Sequence, residues 1–334
     1  MNKILLIDGS SMITTDYYGS APFKSKNESD EDYFKKILHT SNGVYTNAIT
    51  VMLKTLLTLI KEWRPDKIGL AFDQNRATTF RRKIYPNYKG TRKPTPLPLS
   101  QQKSEMLKIL NELKIPVLQS EEYEADDIIY TWAKYYDDGN NKIDIITKDR
   151  DYWQIASDNT TIWMPQSSKA KAMAIRAAYN INNPALNTAP TCISKMVPYT
   201  ADEILIESGV TPSLIPQWKG IAGDTSDNIP GVKGVKSAAA PLLMYYGGLD
   251  DIYEAIQNPK EFEAVCKDLN IRPNPLKHLI ADKTNAYLST KLATMSAVPS
   301  LTVYPAQAHI EESVLLNIIK EYEINSLIPY IENL

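Results

Sequence analysis

The feature that most constrains this chain is a set of three short, largely apolar segments that each run into an aspartate. Ile4 to Ile7 stops at Asp8, Lys67 to Phe72 stops at Asp73, and Ile143 to Thr147 stops just before Asp149-Arg150-Asp151. Apolar runs of this length without alternation read as strands buried on both faces. Helical spacing lies between them: Asn47 to Trp63 repeats Ile49, Met52, Leu53, Leu56, Leu57 and Ile60 until Arg64-Pro65 ends it. Ser104 to Leu113 also reads as a helix, Val117-Leu118 as extended, and Glu124 to Tyr135 as an amphipathic helix. Strands alternating with helices predict a mostly parallel sheet flanked by helices, with a ligand site outside the carboxyl ends of the strands. That rim is where Asp8, Asp73, Asp149 and Asp151 fall. One aspartate at such an end is often a turn former; three strands ending in acid on one rim strain that explanation.

Glu124-Ala125-Asp126-Asp127 adds to the count. At about 100° per residue its carboxylates share one arc of a helix, and Ala125, Ile128, Ile129, Trp132 and Ala133 share the opposite arc. Acids in a first helical turn oppose the helix dipole, which explains one or two carboxylates better than three in four positions.

Clustered carboxylates without histidine or cysteine suit hard cations, Mg²⁺ or Mn²⁺, and phosphate-ester chemistry. Two such ions about 4 Å apart can activate a water and stabilise both the attacking and the leaving oxygen. His39, His278 and His309 are scattered, and Cys192 and Cys266 lie far apart, so no zinc site, redox pair or Ser/His/Asp triad is readable. The cysteine pattern fits a reducing compartment. With no signal-peptide core before Asp8 and no apolar run long enough for a membrane span, a cytoplasmic, membrane-free chain is expected. A net charge of −2 excludes an overall basic nucleic-acid binder and shifts attention to local clusters.

One such cluster is Arg76 to Lys93. It holds Arg76, Arg81, Arg82, Lys83, Lys89, Arg92 and Lys93, no acid, and the aromatics Phe80, Tyr85 and Tyr88. Basic residues interleaved with aromatics suit a sugar-phosphate backbone with bases to stack on, and the segment leaves directly from Asp73. Farther on, Gly220 to Val235 combines glycines before a helix with Asp224 and Asp227. Backbone N–H groups in such a turn can face a phosphate, and the two acids make it a second wall of the same site.

These motifs resemble, in order, those of the bacterial and phage 5′-3′ exonuclease family, related to flap endonucleases and to the 5′-nuclease domain of DNA polymerase I. They are Asp8-Gly9-Ser10-Ser11, Phe72-Asp73, Thr79-Phe80-Arg81 with Tyr88-Lys89-Gly90-Thr91-Arg92, Glu124-Ala125-Asp126-Asp127, Asp149-Arg150-Asp151 and Gly223-Asp224-Thr225-Ser226-Asp227-Asn228-Ile229-Pro230-Gly231-Val232. The resemblance spans roughly residues 1 to 300. It implies a resolvase-like (PIN-type) α/β core over 1–165 with an arch at about 76–115, a connector over 166–198, and a mainly helical DNA-binding lobe over 199–334. It implies a metal-dependent 5′-3′ exonuclease and 5′-flap endonuclease acting on DNA with a free 5′ end, flap or branch, with RNA primers as further substrates, as a monomer.

The resemblance also implies roles. Asp8, Asp73, Glu124, Asp126, Asp127, Asp149, Asp151, Asp224 and Asp227 match metal positions, for two ions. Lys89 and Arg92, with Arg81 and Tyr88, match residues that steer the scissile phosphate beneath the arch, beside the basic Arg82, Lys83 and Lys93. Gly231, Val232, Gly234, Val235 and Lys236 match the start of a helix-hairpin-helix grip on duplex DNA that holds K⁺. Departures are Thr14-Thr15 in place of an aromatic-Arg pair, an apparent insertion over Ser20 to Lys36, Lys148 where a small residue is common, and a shortened hairpin after Gly234. Two rival readings, a non-catalytic branched-DNA binder and an RNA-cleaving PIN-type or RNase H-like enzyme, are disfavoured by the full set of acids and by the basic segment with the Gly-rich hairpin, respectively.

Overall fold

The computed structural model describes residues 1–75 and 77–331; Arg76 of the basic segment lies outside the described residues. Six strands, β1 (Asn2–Asp8), β2 (Lys67–Asp73), β3 (Val117–Ser120), β4 (Asn141–Ile146), β5 (Thr160–Pro165) and β6 (Met196–Tyr199), form one sheet in the order β3-β2-β1-β4-β5-β6. The first five are parallel, and β6 runs antiparallel along β5 with Tyr199 opposite Ile162. The expected mostly parallel sheet is therefore present. The order doubles back at β1, whose neighbours are β2 on one side and β4 on the other. That switch point opens a crevice at the carboxyl ends of β1 and β4, beside Asp8 and Asp149.

β1 shows why its run is wholly apolar. Leu5 and Ile7 pack with Ile49, Leu53, Leu56, Leu70 and Met106 on one face, while Ile4 and Leu6 pack with Ile128, Trp132, Ile143 and Ile145 on the other. The first face is covered by the helices Gly9–Ser20, Asn47–Trp63 and Leu97–Glu112, the second by Ala125–Tyr136.

After Tyr199 the chain is helical: Ala201–Ser208, Ile215–Ala222, Ala239–Tyr246, Leu249–Ala255, Pro259–Asp268, Leu276–Ala281 and Lys283–Ala293. Their apolar faces continue the cluster that begins under the second face of the sheet. A Cβ on Gly220 would sit 1.9 Å from the Thr290 hydroxyl oxygen, so Ile215–Ala222 approaches Lys283–Ala293 more closely than any side chain permits.

The C-terminal segment departs from the helical lobe. It runs back along Ala125–Tyr136, where the Trp132 indole donates to the Val303 carbonyl at 2.9 Å, and Ala306 forms an antiparallel bridge with Ile68. Glu312–Glu321 and Ile328–Ile331 then bury Leu315, Ile318, Ile319 and Ile331 against the first face of the sheet.

The apparent insertion and the expected connector both hold structure. Ser20 to Lys36 contains the helix Asp30–Lys35, capped by the Ser29 hydroxyl, with Tyr33 buried. Gln166 to Pro190 contains Lys169–Ala178, anchored by Arg176, whose buried guanidinium donates to the Ser194 and Met196 carbonyls at 3.1 and 2.7 Å. No helix among the described residues is long and apolar enough to cross a membrane.

Candidate active site

Each strand-end acid does two things at once. Asp8 caps the helix Gly9–Ser20 by accepting the Ser11 amide at 2.9 Å, and its other oxygen accepts the Thr147 hydroxyl at 2.9 Å. Asp73 is seated by its own amide donating to the Ser10 hydroxyl at 2.8 Å, and it accepts the Ala125 amide at 3.0 Å. Asp149 accepts the Asp151 amide at 2.9 Å at the start of Arg150–Ile155. The capping that offers a purely structural reason for these residues is thus also what holds them rigidly at the rim.

Glu124 and Asp127 close a capping box at the start of Ala125–Tyr136. The carboxylate oxygens of Glu124, Asp126 and Asp127 come within 4.8 Å of one another, an oxygen-only donor set that fits a hard divalent cation. Asp127, however, is fully buried and already engaged. It accepts the Arg81 guanidinium at 2.6 and 2.8 Å and the amides of Glu124 and Ser296 at 3.1 and 2.8 Å. Arg81, 1% exposed, also donates to Glu124 at 3.0 Å and to the Leu292 and Thr294 carbonyls at 2.9 and 3.0 Å. That geometry corrects the expectation that Arg81 steers a phosphate: its donors are spent on tying the basic segment, the Glu124 turn and the helical lobe together.

The hairpin after Gly223 brings in the remaining acids. Asp224 accepts the Ser226 amide and hydroxyl at 2.8 and 2.6 Å, and an antiparallel bridge joins it to Ile229. Asp227 accepts from Arg92, and the buried Tyr88 hydroxyl lies 3.0 Å from Glu124 and 3.1 Å from Asp227. Lys89 pairs with Glu124 at 2.5 Å and reaches Asp227 at 3.7 Å. The Lys89 amide donates to the Asp227 carbonyl at 2.8 Å, so backbone as well as side chain docks the basic segment onto the hairpin. A residue that sequence reasoning missed is Lys219, which bridges Asp151 and Asp224, the latter at 2.7 Å. A single lysine in an apolar helix carries no signal in sequence; only the fold turns it toward two carboxylates.

Two cavities share Arg92 as a wall and split the acid rim between them. On one side lies a cavity of about 550 Å³ lined by Asp8, Asp149, Asp151, Asp224, Lys219 and Lys236. On the other lies one of about 570 Å³ that takes Asp73 together with Arg82, Lys93 and Lys103. Lys83 is elsewhere, paired with Glu122 at 2.6 Å on the surface. In the hairpin-helix region Val232 and Val235 are core residues, and the amides of Gly231 and Val232 already donate to the Ser289 hydroxyl and the Ile221 carbonyl, at 2.9 and 2.8 Å. These two amides are therefore committed inside the lobe.

The charges balance unevenly. Burial, together with the neighbouring Asp73 and Asp149, pushes Asp8 up to about 7. Asp126 is raised far above the usual carboxylate range by burial and by Asp127, and Asp149 is raised by burial and by Asp227. Asp224 goes the other way: its burial is outweighed by Lys219 and the Ser226 bonds, which hold it at about 2. Asp73 and Asp227 are also buried yet lowered, through Lys89 for both and Arg92 for Asp227. Asp8 and Asp149 have no ion-pair partner among the described residues. A buried carboxylate in that state is one that a cation would stabilise.

Two family signatures cover most of the chain: the 5′-3′ exonuclease N-terminal resolvase-like domain over residues 3–181 and the 5′-3′ exonuclease C-terminal SAM fold over residues 210–314. A 5′-3′ exonuclease of Aquifex aeolicus is 29% identical over 79% of this chain and 75% of its own. The DNA polymerase I of Lactococcus lactis subsp. cremoris is 31% identical over 94% of this chain, which spans 30% of that protein's length. The chain likewise spans 25% of the DNA polymerase I of Bacillus caldotenax. The flap endonuclease of bacteriophage T5, solved as a pseudo-enzyme-product complex with DNA and metal ions, shares the fold with a TM-score of 0.56 at 16% identity, over 99% of this chain and 100% of that one. With both halves matched in order on the fold just described, the chain belongs to the 5′-3′ exonuclease family.

Proposed function

We propose that the protein is a divalent-metal-dependent 5′-3′ exonuclease and 5′-flap endonuclease that hydrolyses DNA phosphodiesters. The observation that carries this reading is the gathering of carboxylates from β1, β2, β4, the Glu124 turn and the 223–231 hairpin, with a basic segment folded directly onto them. Asp8, Asp73, Glu124 and Asp126 would hold one ion, and Asp149, Asp151, Asp224 and Asp227 the other, with Mg²⁺ or Mn²⁺ as the ions. When bound, such ions polarise a phosphoryl oxygen and lower the pKa of an attacking water. Asp127 and Arg81 fix the geometry of Glu124 rather than joining the ligands.

Lys89 and Arg92 neutralise Glu124 and Asp227. With Glu124 and Asp227 turned to a bound divalent ion, Lys89 and Arg92 would be free to hold the scissile phosphate. The helical lobe, from Tyr199 to about residue 295, would grip the duplex, with K⁺ at the hairpin beside Gly234 and Lys236. RNA-primed ends are further substrates, the working unit is a monomer, and the compartment is the cytoplasm, in keeping with two unpaired cysteines. The test is a 5′-labelled flap, a nicked duplex and an RNA-primed duplex incubated with Mg²⁺ and with EDTA. Cleavage with Mg²⁺ alone is expected, and Asp149→Asn or Asp126→Asn is expected to abolish it while DNA binding persists. Full activity in either variant would sink the assignment.

A further inference from the structure

Tyr152 follows Asp151 in the short helix Arg150–Ile155, and its side chain is 1% exposed in the core beneath the acid rim. Its hydroxyl has no hydrogen-bond partner among the described residues. Buried hydroxyls are almost always paired, and an unpaired one is a net cost that phenylalanine would avoid while filling the same space. The charges acting on this hydroxyl are, in order, Asp8, Asp126, Asp149 and Asp73. They come from three strand ends and the Glu124 turn, and Tyr152 itself directly follows the rim acid Asp151 in the chain. The other unpartnered buried tyrosine hydroxyl, Tyr17, differs: its electrostatic neighbours are chiefly Tyr33, Tyr18 and Tyr45.

We infer that Tyr152 is a positioning residue of the metal site, its hydroxyl donating to an oxygen ligand of the bound divalent ion. The inference rests on the proposed function. A tyrosine hydroxyl offers one proton, and the carboxylates around it already accept other donors: Asp8 from Ser11 and Thr147, Asp149 from Asp151, and Asp73 from Ala125. With a cation held by those carboxylates, an oxygen not committed to these donors would be left to accept from the hydroxyl, the partner it lacks. Outer hydrogen bonds of this kind orient ligands and set metal affinity, by about 10- to 100-fold on removal.

The experiment compares the full-length chain with Tyr152→Phe, which removes one oxygen and keeps the ring. Mn²⁺ binding is followed by electron paramagnetic resonance, and melting temperature is measured in EDTA and in Mn²⁺. The expected result is a Kd for Mn²⁺ weakened about tenfold, a melting temperature in EDTA no lower than that of the parent, and a smaller rise on adding Mn²⁺. An unchanged Kd with an unchanged Mn²⁺-induced rise would overturn the inference and leave the proposed function standing. A variant that melts lower in EDTA with its Mn²⁺ response intact would also overturn it, since the hydroxyl would then be serving the fold alone. Failure of the parent protein to bind Mn²⁺ at all would overturn both.

Discussion

At the residue scale, the sequence showed which carboxylates gather but not what each one does. Asp126 and Asp127 are adjacent and look equivalent in sequence, yet Asp127 turns inward to Arg81 and two amides, whereas Asp126 is partly exposed and accepts the Asp127 amide at 2.7 Å. Sequence spacing records the face of a helix and not the partner waiting there. Arg81 was mistaken for a phosphate ligand for the same reason: its burial comes from Leu292 and Thr294, over two hundred residues away. Removing it strands a buried carboxylate, so Arg81→Ala is expected to cost about 3–5 kcal/mol in urea unfolding. Arg81→Lys should recover only part of that, because one ammonium cannot replace the paired bonds to Asp127. A cost below 1 kcal/mol, as for a surface pair, would contradict the clamp.

Asp16 gives a second residue-level test, away from the acid rim. Burial pushes it up from 3.8 to about 7 against the pull of Lys148, and one of its oxygens has no partner among the described residues. A carboxyl whose folded value is raised contributes stability that is fully present below its unfolded value and lost as the pH climbs through the folded one. Asp16 should therefore weaken the fold as the pH rises from about 4 to about 7. Asp16→Asn is expected to be more stable than the parent at pH 8 by about 1–3 kcal/mol and nearly equal to it only below about pH 4, where Asp16 is protonated in both states. Denaturation in EDTA at both values checks this, and an offset independent of pH would exclude Asp16 as the cause.

At the scale of elements, legibility followed apolar contrast. Asn47–Trp63 was readable to the residue because its buried positions recur at helical spacing among polar ones. Gly9–Ser20 escaped, since Met12, Ile13 and Tyr17 are its only large buried side chains among serines and threonines. Lys169–Ala178 escaped because alanines give no contrast between faces. The 223–231 hairpin was recognised, but not how tightly it is built. Gly231 has φ near 64°, and a Cβ there would lie 2.3 Å from the Gly223 nitrogen. Gly231→Ala must therefore push the two ends of the hairpin apart, backbone against backbone, and carry Asp224 and Asp227 out of register with Lys219 and Lys89. Cleavage is expected to fall by at least about tenfold, the scale of a misplaced catalytic constellation, with the melting temperature lowered as well. Wild-type cleavage by this variant would show that the hairpin acids are dispensable.

At the scale of the molecule, the site exists because one sheet is packed differently on its two faces. The second face continues into the helical lobe, which delivers Asp224, Asp227 and Lys219 to the crevice beside β1 and β4. The first face is closed by elements far apart in sequence, among them the C-terminal helices that had been assigned with the lobe. Between them, residues 296–306 cross the Ala125–Tyr136 helix, held by Trp132, by the Tyr136 hydroxyl at 3.2 Å from the Pro305 carbonyl, and by the bridge to Ile68. No local pattern in the sequence distinguishes a helix bound for the lobe from one bound for the sheet, because both show the same amphipathic spacing. The arrangement predicts that the C-terminal segment serves stability and leaves the chemistry alone. Leu315 is fully buried in the core of the first face, among apolar residues and not among the acids of the rim. Leu315→Ala should cost about 2–5 kcal/mol in unfolding, while flap cleavage at a temperature where the variant stays folded keeps the parent's product lengths and Mg²⁺ requirement. A change in product lengths with no loss of stability would place the C-terminal helices in substrate recognition, contrary to their packing.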